Sequence, residues 1–538
     1  MIEIDGKTVD QAFAEAVGRW PDTPFVIAPE TKGAPVRTLS YAEMDQAAEA
    51  MAGALTAAGY GRGMRAAVLV GATPEHYMIK LALARIGMSC VPVNPDYTAG
   101  ELSYLLEDSG AVLAIAADRF ATQMRDGIAA AKADPRFVLV DDLLERLPLA
   151  PQGVTPSAGA VEPSDEASLL YTSGTTGRPK GCILSHEYEL MVGASYAGVG
   201  GMISLREGQE RILNPLPAFH VNAGILTFFA AMLGGNALIQ PERFSARTWW
   251  RDIEDCGATV FHYLGVVISV LLAEEGTGPE VTANLRMGLG AGVDPSLHGV
   301  FEERFGLPLI EVWGMTEMCR MLHVSEEPRL IDTRAMGRPR AGLECRVVDQ
   351  DDQDVAPDTP GQLIIRHSEA TPRKGFFSGY LNKPEATEEV WAGGWFHTGD
   401  TVTMNADGMI FFVDRAKNII RRAGENIAAA EVENVLFDDP NVVNVACIAV
   451  PDPVREEEVM ACIVPAPGAA ADEATARAIF DAAFAQMAYY KPPGWIRFMD
   501  ALPVTGTQKV VKHKIFGADD DPFAGAFDFR ELKKRRKG

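Results

Sequence analysis

Cysteine is scarce in this 538-residue chain, and no two cysteines stand at the spacing of a metal site. Seven scattered cysteines exclude a disulfide framework and a zinc-binding motif, and they are typical of a protein from a reducing compartment. Residues 1–5 also lack a basic region followed by an apolar core, so the sequence shows no signal peptide. From these absences we expect a cytoplasmic protein.

Positive charge is in deficit, because 49 lysines and arginines stand against 73 aspartates and glutamates, for a net charge of −24. So acidic a surface disfavours non-specific binding to nucleic acid or anionic lipid, although a local pocket can still hold an anionic ligand. Hydrophobic residues make up 47% and charged residues 23%, which excludes a mainly disordered chain. The composition predicts a large acidic enzyme, and it leaves open whether copies of the chain form a homo-oligomer.

Long uncharged runs are rare as well. Residues 221–239 are uncharged and long enough to cross a bilayer, but Gly234 and Gly235 divide them into a helix-length and a strand-length part. We therefore predict a buried helix followed by a buried strand rather than a membrane span.

Short apolar runs alternate with helix-length amphipathic segments over most of the first four hundred residues. One apolar run, at residues 66–70, is followed by Thr73 and Pro74, which are typical of a helix start. Such alternation predicts an α/β fold with layered, largely parallel sheets. Near residues 414–418 the pattern changes to that of a small α+β domain, and the acidic and then basic runs that close the chain predict a flexible tail at 517–538.

The most informative segment lies between a predicted strand and a predicted helix. Its hydroxyl residues, glycines and lysine are Thr172, Ser173, Gly174, Thr175, Thr176, Gly177 and Lys180. The glycines let backbone N–H groups turn toward an anion, while the hydroxyls and the ammonium group add further donors. The spacing is not that of a Walker A loop. The pattern favours a phosphate-binding loop over a polar surface loop.

This loop resembles the phosphate-binding signature of the adenylate-forming superfamily, which includes acyl-CoA synthetases, luciferases and the adenylation domains of peptide synthetases. Four further segments resemble other motifs of that superfamily and occur in the same order. They are residues 313–317, 394–400, 414–427 and 502–509. The resemblance implies a large N-terminal domain of α/β subdomains at 1–414, a hinge at 415–418 and a small mobile C-terminal domain at 419–516. Residues 421–426 also resemble the carnitine/crotonobetaine-CoA ligase branch.

The resemblance implies a reaction in two halves. A carboxylate attacks the α-phosphate of ATP, and a thiol then displaces AMP from the acyl-adenylate. Both halves develop negative charge on oxygen, so positioning and fixed positive charge carry the catalysis. By resemblance, residues 172–180 would cradle the β- and γ-phosphates, Glu317 would bind Mg²⁺, and Thr316 would contact the α-phosphate.

The nucleoside would be held by residues from two further motifs. Trp313, followed by Gly314, would offer a flat face to adenine, and Asp400 and Arg415 would bind the ribose hydroxyls. Taken singly, Trp313 is equally explained as a core aromatic residue, and Asp400 as a helix cap.

The C-terminal domain would supply a lysine and a hinge. Lys509 would neutralise charge in the adenylation step, since a compact ammonium on a long stem suits a phosphate; on its own it is equally explained as a surface lysine. Gln508 replaces the glycine that is usual before this lysine. Lys417 would be the hinge residue at which the domain rotates for the thiol step. Gly424 would leave room for the pantetheine arm of coenzyme A.

Phe219 and His220 resemble the aromatic–histidine element between the acyl site and the thiol tunnel, although a lone histidine is ordinarily a core residue. Peptide-synthetase domains usually have Phe-Asp here, so amino-acid activation is disfavoured. By resemblance, the acyl pocket would draw on Asn222, Tyr263, Leu264, Gly290, Ala291, Gly292, Met315 and Arg320. With His262, this lining is more polar than a long-chain fatty acid requires, and it predicts a small or medium polar acid.

Several functions remain open from the sequence. An adenylating enzyme that loads a carrier protein shares the first half-reaction, a luciferase-like oxygenase would consume O₂, and a non-enzymatic relative would only bind nucleotide. The presence of Lys509, Glu317 and Asp400 disfavours the last of these. We predict an AMP-forming acid–thiol ligase that uses ATP, Mg²⁺, coenzyme A and a small-molecule carboxylic acid.

Overall fold

The computed structural model describes residues 1–31, 33–172, 178–274, 278–415, 419–503, 510, 512–517 and 520–535. It does not describe the side chains of Val281, Asp414, Arg415, Ala430 and His513. The chain forms two compact units. Unit 1 comprises Met1–Pro95, Ser103–Leu170 and Gly181–Asp414, and unit 2 comprises Asp96–Leu102, Tyr171–Lys180 and Arg415–Gly538.

Helices and strands alternate through the first part of the chain. The elements up to residue 172 are α1 (Val9–Arg19), β1 (Pro24–Ala28), β2 (Arg37–Ser40), α2 (Tyr41–Ala57), β3 (Arg65–Leu69), α3 (Pro74–Arg85), β4 (Ser89–Pro92), α4 (Ala99–Ser109), β5 (Leu113–Ala116), α5 (Ala121–Ala130), β6 (Arg136–Leu139) and β7 (Glu166–Thr172). The elements from residue 180 to 313 are β8 (Lys180–Ser185), α6 (His186–Ala197), β9 (Arg211–Leu213), a π-helix (Asn222–Thr227), α7 (Phe228–Gly234), β10 (Ala237–Ile239), α8 (Ala246–Cys256), β11 (Val260–Leu264), α9 (Gly265–Ala273), β12 (Met287–Ala291), α10 (Pro295–Phe305) and β13 (Leu309–Trp313).

Strands dominate after residue 313. The elements that complete unit 1 are β14 (Leu322–His323), β15 (Ala335–Gly337), β16 (Glu344–Val348), β17 (Gly361–Arg366), β18 (Gly379–Tyr380), α11 (Pro384–Glu389), β19 (Phe396–Met404) and β20 (Ile410–Arg415). The elements of unit 2 after the residue 415 boundary are β21 (Ile419–Arg422), β22 (Glu425–Ala428), α12 (Ala429–Phe437), β23 (Val442–Asp452), β24 (Glu456–Pro465), α13 (Glu473–Gln486), β25 (Trp495–Phe498) and β26 (Phe527–Asp528).

Two large sheets carry the predicted parallel pairing. One has the strand order β14-β13-β12-β11-β9-β10-β1-β2, and the pairs from β13 through β1 are parallel. The other has the order β18-β8-β7-β4-β3-β5-β6, with parallel pairs between β7 and β6. A single hydrophobic core joins apolar residues of both sheets with those of α1, α2, α3, α6 and α7. The layered α/β prediction is confirmed for this part of the chain.

A third sheet departs from the expectation of largely parallel pairing. Its order is β15-β20-β19-β17-β16, and the pairs β15–β20, β17–β19 and β16–β17 are antiparallel. Antiparallel neighbours need only a turn between them, whereas parallel neighbours need a crossover connection such as a helix. β16 and β17 follow each other in sequence with no helix between them and pair antiparallel, so the expectation of largely parallel pairing does not extend to this sheet.

The uncharged run at 221–239 folds as predicted, into helix and then strand. The π-helix and α7 end at Gly235, whose φ of +66° closes the helix, and β10 follows. Every residue from Ala223 to Ile239 is buried. Within the described residues, no helix combines the length and apolar character needed to cross a membrane.

Unit 2 is built on a sheet with the order β22-β21-β24-β25-β26, and β23 also pairs with β24. Successive residues of a strand face opposite sides, and β24 buries both sides. Val459, Ala461 and Ile463 contribute to one hydrophobic core with α12 and α13, while Met460 and Cys462 contribute to a second core. This arrangement is the small α+β fold that the sequence predicts.

The expected tail at 517–538 needs correction for residues 520–535. β26 pairs antiparallel with β25, and Phe529 is buried against Phe480, with their ring centroids 5.2 Å apart. Lys533 is also buried, and its Nζ lies 2.5 Å from a carboxylate oxygen of Glu458. The aromatic residues between the acidic and basic runs supply the apolar contacts that integrate this segment into unit 2.

Replacing Phe529 by alanine should destabilise unit 2 by about 3–5 kcal/mol, because it removes a buried ring from a hydrophobic core. The exposed neighbour Leu532 is a matched control, and Leu532→Ala should change the free energy of unfolding by less than about 0.5 kcal/mol. Urea denaturation of both variants measures this difference. Equal stability of the two variants would show that the segment does not belong to the folded unit.

Candidate active site

Most predicted acyl residues, and Trp313, lie at or just beyond the carboxyl ends of strands in the eight-stranded sheet. Strands β9, β11, β12 and β13 run parallel, so their carboxyl ends meet at the same edge. Tyr263 on β11 is the register partner of Gly290 on β12, and Gly290 is the partner of Glu311 on β13. In parallel α/β sheets, ligands bind outside the carboxyl ends of the strands. The predicted acyl and nucleotide residues therefore occupy a location typical of a ligand site.

Trp313 and Asp400 lie in direct contact. The indole Nε1–H of Trp313, at the end of β13, donates to Asp400 Oδ2 at 2.9 Å. The two residues are 5% and 3% exposed, and the backbone N–H of Asp400 donates to Thr398 Oγ1 at 3.1 Å. The contact joins two motifs that are 87 residues apart in sequence and that we predicted to hold the same nucleoside.

Glu317 is held by a tyrosine that the sequence analysis did not identify. Tyr380 OH donates to Glu317 Oε1 at 2.8 Å, and Glu317 is buried. Burial raises the pKa of the Tyr380 hydroxyl well above its ordinary value, and the Glu317 carboxylate adds to this effect, so the hydroxyl remains a donor. A second tyrosine, Tyr188, donates from its OH to the carbonyl of Thr316 at 2.7 Å. No sequence signal identified either tyrosine, because each contact spans more than 60 residues.

Tyr263 requires a correction to its predicted role. We expected it to line the acyl pocket, but its side chain is fully buried and its hydroxyl donates to Glu311 Oε1 at 2.6 Å. The other carboxylate oxygen of Glu311 accepts from the backbone N–H of Gly292 at 2.7 Å. A Cβ at Gly290 would come within 2.5 Å of the Tyr263 ring. Tyr263 packs against Gly290, and Glu311 binds the backbone of Gly292, so both residues hold the segment 290–292 in place.

Burial raises the pKa of the Glu311 carboxyl to about 7, against the hydrogen bonds from Tyr263 and Gly292, which favour the ionised form. Glu311 retains some exposed surface as a residue, but its carboxyl is enclosed by protein, and the carboxyl governs the ionisation. The folded protein holds this proton more tightly than an unfolded chain, in which the ordinary value is 4.5.

Glu311→Gln should change how stability depends on pH. The contribution of Glu311 to folding is fully present below its unfolded pKa of 4.5 and is lost as pH rises through about 7. Glutamine does not ionise, so the melting temperature of the variant, relative to the natural protein, should rise between about pH 4.5 and pH 7 and level off above that range. Glu303→Gln, at an exposed position of α10, is the control and should show no such trend. Parallel curves for Glu311→Gln and the natural protein would contradict the raised pKa.

The other predicted acyl residues lie on segments around the same edge. His220 is partly exposed beside Phe219, with ring centroids 4.5 Å apart, and its carbonyl accepts from the N–H of Gly224. A Cβ at Gly265 would meet the carbonyl oxygen of Gly292 at 1.9 Å, so only glycine allows this close approach. The remaining predicted residues that keep some exposed surface are Asn222, Leu264, Ala291, Gly292, Gly314, Met315, Thr316 and Arg320.

Further predicted residues belong to unit 2. Thr172 Oγ1 lies 3.5 Å from the carbonyl oxygen of Lys180, so the two ends of the predicted phosphate loop are close together. Gly424 and Ala423 form the two-residue turn between β21 and β22, with φ of +90° and +50°. This turn requires the left-handed region at both positions, which explains the glycine locally. Arg415 is the last residue of β20.

Some predicted residues lie outside the described parts of the chain. They are Ser173, Gly174, Thr175, Thr176, Gly177, Lys417 and Lys509. Within the described parts, no group of three or more histidine, cysteine, aspartate or glutamate side chains is placed to hold a metal ion.

Family models match both parts of the chain. The model of the AMP-binding enzymes matches residues 13–381, and the model of the AMP-binding enzyme C-terminal domain matches residues 431–509. The chain belongs to the AMP-binding enzyme family. The predicted family, enzyme class and fold class are thereby confirmed.

The curated relatives that the chain resembles include several CoA ligases. The chain is 30% identical to a probable CoA ligase of Humulus lupulus, over 88% of this chain and 90% of that protein. It is 28% identical to a sulfoacetate–CoA ligase of Cupriavidus necator, over 94% and 97%. It is 29% identical to a crotonobetaine/carnitine–CoA ligase of Proteus mirabilis, over 89% and 93%.

Solved structures share the fold over most of the chain. An o-succinylbenzoate CoA synthetase of Bacillus subtilis, bound to a product analogue, matches with a TM-score of 0.80 and 25% identity, over 94% of this chain and 98% of that chain. A malonyl-CoA ligase with methylmalonyl-CoA and AMP bound matches with a TM-score of 0.72 and 29% identity, over 90% and 97%. Together with the relatives, these structures support the ATP-dependent, AMP-forming CoA ligase activity predicted from the sequence.

Proposed function

We propose that this chain activates a small or medium, polar carboxylic acid with ATP and transfers the acyl group to coenzyme A. The observation that carries the proposal is the contact between Trp313 and Asp400, because it brings an indole at the carboxyl end of β13 together with a carboxylate from β19. A flat indole suits a nucleobase, and a carboxylate suits paired ribose hydroxyls. Thr316 and Glu317 follow Trp313 in sequence. Thr316 would contact the α-phosphate of the bound nucleotide, and Glu317 would bind the cation.

In the first half-reaction, a carboxylate oxygen of the acid bonds to the α-phosphorus of ATP, and pyrophosphate leaves. The phosphate loop at 172–180 and Thr316 would orient the nucleotide, and Lys509 would neutralise the developing charge. Arg415 would join Asp400 at the ribose.

Glu317 fits a magnesium ion. Tyr380 occupies only Oε1, and Oε2 accepts no hydrogen bond from any residue in the described ranges. A hard carboxylate oxygen is a ligand that Mg²⁺ prefers, and the ion commonly takes its other ligands from phosphates and water. Bound Mg²⁺ would supply charge neutralisation at the phosphates.

In the second half-reaction, the thiol of coenzyme A attacks the acyl carbon, the bond from carbon to the bridging oxygen breaks, and that oxygen leaves with AMP. Rotation at Lys417 would withdraw Lys509 after adenylation. Gly424, which has no side chain, would leave room for the pantetheine arm of coenzyme A. His220 would lie between the acyl group and the thiol.

The class of acid is inferred from the polar side chains of the predicted acyl pocket. Asn222 and Arg320 keep polar side chains partly exposed near the predicted acyl segments. Two relatives are named for sulfoacetate and for crotonobetaine or carnitine, and one solved neighbour holds methylmalonyl-CoA. These acids are small and polar, in agreement with the lining that the sequence predicts.

The test is AMP release from ATP over a panel of short, polar and long-chain acids, with and without coenzyme A. Strong AMP formation that needs one small polar acid and coenzyme A supports the proposal and identifies the substrate. Pyrophosphate release without dependence on coenzyme A would replace it with carrier-protein loading. A panel in which long-chain fatty acids are the best substrates would contradict the predicted acid class.

A further inference from the structure

A buried polar network lies beneath the predicted acyl segments of unit 1. It joins the end of β9, the π-helix, β11 and α6 through Asn214, Asn222, Thr227, His262 and Tyr196. Four of these residues are fully buried, and Asn222 alone among them is partly exposed. Buried polar groups persist when they are mutually satisfied, and such networks fix the orientation of each member.

The orientation of the Asn214 amide follows from a backbone donor. The N–H of Leu216 can only donate, and it donates to Asn214 Oδ1 at 3.0 Å. The Nδ2 group of Asn214 must therefore be the donor to its two nearest neighbours, while His262 Nδ1 lies farther away, at 3.4 Å. The two nearest neighbours are Asn222 Oδ1 at 2.8 Å and Thr227 Oγ1 at 2.7 Å.

His262 donates to the same oxygen of Asn222. Burial lowers the pKa of His262 to about 3, so the ring is neutral and carries one proton. The ring nitrogen Nδ1 lies 2.9 Å from Asn222 Oδ1, which can only accept, and Nε2 lies 3.1 Å from the hydroxyl of Tyr196. The proton therefore resides on Nδ1, and Tyr196 donates to Nε2.

Asn222 is thus fixed with its oxygen turned inward. Oδ1 accepts two hydrogen bonds, from Asn214 and His262, so the amide cannot flip without opposing donor to donor. No residue in the described ranges accepts a hydrogen bond from its Nδ2 group. Asn222 also follows the partly exposed His220 and Val221 and begins a π-helix, a feature that occurs frequently at functional sites.

We propose that the Nδ2 group of Asn222 donates a hydrogen bond to a second oxygen of the acid, away from the reacting carboxylate, and that it selects acids that carry such an acceptor. The inference rests on the proposed function and narrows its substrate class to acids with a keto, hydroxyl, carboxylate or sulfonate oxygen on the acyl chain. His262 and Asn214 are positioning residues, because they reach the acid only through Asn222.

Asn222→Asp isolates the donor. Aspartate has nearly the same shape, and one of its oxygens can accept from Asn214 and His262 as the amide oxygen does, but it lacks the NH₂ group. Asn222→Leu removes the donor without adding charge and provides an independent second variant. Both are compared with the natural protein in kcat/KM for AMP formation with coenzyme A.

The probes are pairs of acids that differ by one acceptor oxygen: pentanoate and 4-oxopentanoate, hexanoate and 5-oxohexanoate, and heptanoate and 6-oxoheptanoate. The natural protein should prefer one or more of the oxo acids by about tenfold, as expected for one hydrogen bond to a prepared donor. Both variants should reduce that preference to about one, mainly by lowering kcat/KM for the oxo acid. A natural protein without preference, or variants that lower both members of a pair equally, would overturn the proposal.

Calorimetric binding of the same acid pairs distinguishes the inference from the function on which it rests. If no acid gives AMP, the proposed function fails. The inference then stands if the natural protein binds an oxo acid more tightly than its partner and Asn222→Asp removes the difference, and it fails if the affinities are equal.

Discussion

Lys509→Ala should lower acid-dependent AMP formation by about 10²–10³-fold, the loss typical when one group that stabilises transition-state charge is removed. The reason is the charge that develops on phosphate oxygens as the carboxylate attacks the α-phosphorus of ATP. Lys514, an exposed lysine close to it in sequence, is the matched control, and Lys514→Ala should retain adenylation.

Supplying acyl-adenylate directly separates the two half-reactions of the Lys509→Ala variant. The proposed rotation at Lys417 withdraws Lys509 before the thiol attacks, so formation of acyl-CoA from added acyl-adenylate should change little. Equal loss in both half-reactions, or an equal effect of Lys514→Ala, would remove Lys509 from the proposed role.

Glu317→Gln should reduce kcat/KM for ATP by about 10²–10³-fold, because it deletes the negative charge that would hold Mg²⁺ at the phosphates. Glutamine has the size of glutamate and can still accept the hydrogen bond from Tyr380, so the fold around β18 is retained. Raising the magnesium concentration should restore part of the activity.

Tyr380→Phe provides the comparison for Glu317→Gln. It removes the hydroxyl that donates to Glu317 Oε1 but leaves the carboxylate, so it should cost no more than about tenfold. A magnesium dependence that is identical in Glu317→Gln and the natural protein would show that Glu317 does not bind the ion.

Local patterns predict those features of the fold that depend on neighbouring residues. Pro74 begins α3, and Gly235 separates α7 from β10, because both residues act through their own backbone geometry. The motifs around Trp313 and Asp400 were each expected at the nucleoside, and the structure brings the two side chains together.

Features that depend on long-range pairing were not predictable from those patterns. The antiparallel third sheet arises from which strands become neighbours, and periodicity does not specify neighbours. Glu311 supports Gly292 only because β12 and β13 pair in one particular register. Tyr263 was expected in the pocket lining by resemblance, but its hydroxyl donates to Glu311.

The acidic and basic runs near the C-terminus likewise gave a wrong expectation. Composition marks such runs as solvated, yet Phe529 lies between them and is buried against Phe480. One or two aromatic residues suffice to anchor a charged segment in a hydrophobic core. A prediction based on charge alone takes no account of them.

The fate of the carboxylate oxygen tests the central claim most directly. The acid that gives AMP is labelled with ¹⁸O in its carboxyl group and converted in a single turnover with ATP and coenzyme A. The masses of the products are then measured by mass spectrometry. Attack on the α-phosphorus, followed by cleavage of the acyl carbon–oxygen bond, transfers one labelled oxygen to AMP. AMP without label, or label in pyrophosphate or phosphate, would contradict an acyl-adenylate mechanism for this chain.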